Sequence, residues 1–61
     1  MKPIEQLIIL ANSKGLNLLL MYDETSFTFL GELVDNYGRL YRITEASNLG
    51  SVIQELKKTL D

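Results

Sequence analysis

The chain has 61 residues, 46% of them hydrophobic, and a formal net charge of −2. A domain of that size buries only ~60% of the surface its unfolded chain exposes, so it needs good packing or self-association to persist. Cysteine and histidine are both absent, which excludes disulfides, thiolate metal sites and the usual general base near neutral pH.

The first helix is predicted from Pro3, which suits a first turn, to Gly15, which suits a C-terminal cap, with Lys14 in the last turn. Ile4, Leu7, Ile8 and Ala11 recur at the spacing of a buried helical face, Leu10 flanks that stripe, and Ile9 lies nearly opposite it. Leu16 to Tyr22 reads as a strand. The polar break Asp23-Glu24-Thr25-Ser26 reads as a tight turn, and Ser26 to Val34 as a second strand. Asp35-Asn36-Tyr37-Gly38 has Asp first and Gly fourth, as a type I turn prefers. Arg39 to Thr44 alternates polar and apolar as a third strand, and the short loops make the three strands an antiparallel meander. A last helix begins at a cap on Ser47 or Asn48 and carries the stripe Leu49, Val52, Ile53, Leu56 and Leu60. The expected fold is a single α+β domain, residues 1–61, of order α-β-β-β-α with both helices on one face of the sheet.

The turns imply a register, and the register sorts side chains onto faces. A turn centred on Glu24-Thr25 sets Tyr22 opposite Phe27 and Leu20 opposite Phe29, while the second turn sets Leu33 opposite Tyr41 and Gly31 opposite Ile43. The face under the helices then collects Leu16, Leu18, Leu20, Tyr22, Phe27, Phe29, Leu33, Tyr41 and Ile43. Gly31 on the central strand lets a helix approach closely. The opposite face is expected to carry Asn17, Thr28, Thr44 and a Glu32–Arg42 pair, but also Leu19, Met21, Leu30, Val34 and Leu40. Five aliphatic side chains there make a patch of roughly 300–600 Å², the range in which exposed patches are often functional.

Catalysis has little to stand on. The serines have no histidine to activate them and the carboxylates are scattered along the chain, so no enzymatic activity and no cofactor or metal are expected. No phosphate loop, dinucleotide fingerprint or calcium loop is present. The hairpin over residues 35–42 places Tyr37 at a tip beside Arg39 and Arg42, residue types that dominate binding energy at interfaces and that also stack on bases and contact phosphates. The plainer reading is that Tyr37 fills a turn position and Arg42 pairs with Glu32. The acidic balance gives no general affinity for nucleic acid. The apolar runs are far short of the ~20 residues that span a bilayer. Met1 to Pro3 leads straight into a helical pattern without the regions of a signal peptide. The expected location is therefore the cytoplasm, with no membrane partner.

The element order is that of the double-stranded RNA-binding domain, which reads RNA with a Gly-Pro-x-His loop and a Lys-rich helix start. Here Asp23-Glu24-Thr25-Ser26 and Ser47-Asn48-Leu49-Gly50 stand in those places and offer no charge to phosphate. The stretch Asn36-Tyr37-Gly38-Arg39-Leu40-Tyr41-Arg42-Ile43-Thr44-Glu45, leading through Asn48 to Ser51-Val52-Ile53, resembles the middle of short, acidic, phage-encoded anti-CRISPR proteins that block Cas9. That resemblance implies a viral inhibitor that occludes a surface of a larger host complex. Members of the family mimic DNA with acidic side chains. At a net charge of −2, the resemblance points instead to apolar contacts together with Asp23, Glu24 and Asp35. The expectation is thus a protein-binding module whose partner is a host or CRISPR-type complex. The alternatives are a homodimer paired through its sheet faces and a nucleic-acid-binding module using the 35–42 hairpin.

Overall fold

The computed structural model covers all 61 residues. Its elements run α1 (Pro3–Ser13), β1 (Leu16–Asp23), β2 (Thr28–Asp35), β3 (Leu40–Ala46) and α2 (Leu49–Leu60). The strands form one antiparallel sheet of order β1-β2-β3, and the fold is α+β with the order expected.

Each helix is bounded by local chemistry. Glu5 reaches back to accept from the Lys2 backbone N–H at 2.9 Å, and Gly15 follows α1 at φ +75°, the left-handed conformation a helix C-terminus favours. Of the two candidate caps for α2, Asn48 is the one used: its Oδ1 accepts from the Ser51 N–H at 2.8 Å. The second hairpin turns on Asp35, whose carbonyl accepts from Gly38 N–H at 3.1 Å and whose N–H donates to Arg39 at 2.9 Å. Gly38 sits at φ +81°, so this is a type I turn closed by a left-handed glycine.

Both helices pack on one side of the sheet. The core consists of Leu7, Ala11, Leu16, Leu33, Val52, Ile53, Leu56 and Leu60, with Ile4, Leu10, Leu18, Leu20, Phe29, Ala46 and Leu49 packed around it. Gly31 is the point of closest approach: a Cβ built there would lie 2.5 Å from Val52 Cγ1 and 2.7 Å from Leu56 Cδ1. Only hydrogen fits at that position, so α2 settles directly onto the central strand.

Three expectations are corrected. The first turn is wider than a tight turn, because Asp23 pairs with Thr28 and leaves residues 24–27 as the loop. Phe27 stands in that loop at φ +57° and 74% exposed instead of opposite Tyr22 in the core. The register of β1 against β2 moves by two residues, Tyr22 now facing Phe29, and an even shift keeps every side chain on its expected face.

The second correction is a reversal of β3. Val34 pairs with Leu40, as the turn dictates, but Leu33 pairs with Arg42, so Tyr41 is an extra residue at a bulge. Beyond it the alternation is inverted. Ile43 lies opposite Glu32, Thr44 opposite Gly31 and Ala46 opposite Phe29. Ile43 and Tyr41 are therefore half-exposed rather than core, Arg42 and Thr44 share the helix-covered side, and the expected Glu32–Arg42 pair does not form.

The third concerns α1. Leu7 and Ala11 are fully buried, but Ile8 remains 40% exposed and Leu10 packs on the core in its place. The helix is rolled toward α2, where Lys57 Nζ donates to Gln6 Oε1 at 3.2 Å. Ile9 is exposed, as its position nearly opposite the stripe predicts.

Candidate functional site

The side of the sheet away from the helices has no element of this chain over it. Residues directly opposite one another on paired strands share a face, so the register lays out this surface in rows. Asn17, Val34 and Leu40 form the row nearest the second hairpin. Leu19, Glu32 and Ile43 form the middle row, and Met21, Leu30 and Glu45 the next. Leu19, Met21, Leu40 and Ile43 are each about half exposed, and Leu30 and Val34 are partly so. The five aliphatic residues expected here all lie on this face. The bulge at Tyr41 adds Ile43 to them, which sequence periodicity assigned to the core.

The polar groups on this side are arranged unequally. The Thr28 hydroxyl donates to the Glu45 carboxylate, and Ser26 Oγ lies 2.7 Å from the same hydroxyl and 3.5 Å from that carboxylate. Asn17 Nδ2 donates to Asn36 Oδ1 at 3.2 Å. Glu32, in the centre, has no hydrogen-bond or ion-pair partner, although Leu19 and Ile43 flank it across the strands. Its isolation was not legible in the sequence, where Arg42 was the natural partner.

The remaining candidate residues fall into separate places. Tyr37 is the most exposed of the large hydrophobic residues at 85%, and the Arg39 guanidinium stacks over its ring at 5.3 Å. Asp35 holds this tip in place, accepting from the Tyr37 and Arg39 N–H groups at 2.9 Å each and from Arg39 Nε at 2.7 Å. The donation from the Arg39 backbone, followed by that of its side chain and of Tyr37, holds the Asp35 carboxyl below the ordinary value. Arg39 is thereby committed to Asp35 and Tyr37. Arg42 is exposed on the helix-covered side of the sheet, the side to which the pairing with Leu16 also assigns Asp35, and it has no hydrogen-bond or ion-pair partner.

Asp23 and Glu24 belong to the first loop, and Asp35 to the far end of β2. The eight residues of that strand set them on the order of 23 Å apart, so the structure does not gather the three acids into one site. Asp23 is likewise held below its ordinary value, first by the Thr25 N–H and then by Ser26. It serves as the hydrogen-bonded anchor of its own turn.

Two concavities lie elsewhere. An open groove of about 620 Å³ runs between the helices, lined by Lys2, Ile4, Gln6, Ile53 and Lys57 among others. An apolar notch of about 230 Å³ sits between Leu20, Tyr22, Phe29 and Leu49, beside the tilted Tyr22–Phe29 stack at 4.9 Å. No helix is long and apolar enough to cross a membrane. No known protein family, curated protein or solved structure matches this chain.

Proposed function

We propose that this protein is a non-catalytic protein-binding module that docks through the uncovered face of its sheet. The supporting observation is the surface itself: Leu19, Met21, Leu30, Val34, Leu40 and Ile43 on one face, with no part of the chain over them. A sheet with one solvated side ordinarily alternates apolar-in and polar-out. This one is apolar on both sides, which favours a partner on the second. The tip formed by Tyr37 and Arg39 extends the same end of the sheet and gives that partner an aromatic anchor at its rim.

The finer reading, drawn from the resemblance of residues 36–53 to anti-CRISPR proteins, is a phage or mobile-element inhibitor acting in the host cytoplasm by occluding a surface of a larger complex. Self-association through the same face is the second reading, favoured by the small size of the domain. Nucleic-acid binding by the hairpin ranks below both, because Arg39 is engaged by Asp35 and the net charge of the chain is −2.

The test compares proteins captured from host lysate by the wild type and by a Leu19→Asp variant, with circular dichroism confirming that both are folded. A protein retained by the wild type and lost from the variant supports the reading. Capture unaffected by Leu19→Asp and by Ile43→Asp would overturn it.

A further inference from the structure

The middle of the uncovered face is a charge. Glu32 is half-buried, with Leu19 and Ile43 beside it on the neighbouring strands and Leu30 and Val34 before and after it on the same face of β2. Other carboxylates at the sheet have partners: Glu45 accepts from Thr28, and Asp35 pairs with Arg39. Glu32 has none, and water alone solvates it in the free protein.

Any surface laid over this face strips that water. An ion left unpaired in an apolar contact is strongly disfavoured, whereas a well-placed cation compensates for the lost hydration. A purely apolar lid therefore does not suit the face. A second copy set face to face about the centre fares no better, because it brings Glu32 against Glu32.

We infer that the face selects a partner protein presenting a lysine or arginine side chain within an apolar ring, and that Glu32 is the residue that determines this specificity. The inference rests on the proposal that the face is the docking surface, and it adds the chemistry of what docks there. Six aliphatic side chains supply contact area, while the central carboxylate rejects surfaces that bring no positive charge.

The fold itself provides the probe. A Glu32→Lys variant carries the same aliphatic ring around a central cation, so the wild type and the variant together make the complementary pair. Sedimentation equilibrium is run on the wild type, on Glu32→Lys and on their equimolar mixture, after circular dichroism has shown both folded. Glu32→Arg substitutes if the lysine variant does not fold. Each protein alone is expected to stay monomeric, and the mixture to associate at least about tenfold more tightly. Leu19→Asp in the wild-type component should abolish that association. A mixture as monomeric as its components overturns the inference, and so does a wild type that pairs with itself as tightly as the mixture does. If that self-pairing is lost in Leu19→Asp, the face still docks and only the requirement for a cation fails. If Leu19→Asp alters neither association nor lysate capture, the docking reading fails with it.

Discussion

Gly31 and Val52 meet more closely than any residue with a Cβ would permit: a methyl placed at position 31 would lie 2.5 Å from Val52 Cγ1. Leu56 Cδ1 closes the same spot at 2.7 Å, and both partners are fully buried. Gly31→Ala must therefore push α2 away from β2 or force both side chains off their rotamers. A loss of about 1–3 kcal/mol in unfolding free energy is expected, measured by denaturant titration with the helical signal retained.

The neighbours Leu7 and Ile8 in α1 should respond very differently to truncation. Leu7 is fully buried, while Ile8 keeps 40% of its surface in solvent. Leu7→Ala is expected to cost ~2–5 kcal/mol, and Ile8→Ala less than about 1.5 kcal/mol. Equal losses in thermal or denaturant unfolding would restore Ile8 to the core face that the sequence spacing suggests.

Phe27 occupies the left-handed region at φ +57° with its ring largely in water. That backbone costs a residue with a Cβ roughly 1–2 kcal/mol, and glycine avoids the cost while losing some entropy on folding. Phe27→Gly is expected to be neutral or to stabilise by up to ~1 kcal/mol, whereas Phe27→Ala, which keeps the Cβ, should not stabilise. A clear destabilisation by glycine alone would mean that the ring makes a contact in solution.

Asp35 predicts the response to acid. Its carboxyl is held below the ordinary value of 3.8, chiefly by the Arg39 N–H, so the folded state holds its proton more weakly than the unfolded chain does. The sign follows from linkage: its contribution is complete above the ordinary carboxylate range and is lost as pH falls through the depressed folded value. Asp23, lowered mainly by the Thr25 N–H, acts in the same direction. Unfolding followed between about pH 6 and pH 2 should show stability falling at the acid end, with a shallower fall in Asp35→Asn. Identical pH profiles would show that the tip contributes nothing to the fold.

Much of the architecture was legible because it rests on local signals. Pro3, Gly15, Asn48 and the Asp35–Gly38 turn each mark a boundary by a backbone requirement, and the stripe Val52, Ile53, Leu56 and Leu60 is buried as its spacing implies. The faces of β1 and β2 also came through, since a two-residue error in register preserves alternation. The face of β3 did not. Tyr41 bulges, and neither glycine nor proline announces it, so Ile43 and Arg42 exchanged sides. The aliphatic half of the candidate surface was therefore visible in advance, but the solitary state of Glu32 was not, because it depends on which side of the sheet Arg42 occupies.

The central strand has two jobs on its two sides. Phe29, Gly31 and Leu33 of β2 meet the helices, while Leu30, Glu32 and Val34 face outward, and the backbone spans only 15 Å in its thinnest direction. Occupancy of the outer side clamps the same backbone that organises the interior. A ligand for that side thus raises the melting temperature in proportion to the logarithm of its concentration over its Kd, and it slows hydrogen exchange most at the amides of β2. In a protein this thin, recognition and folding are readings of one equilibrium.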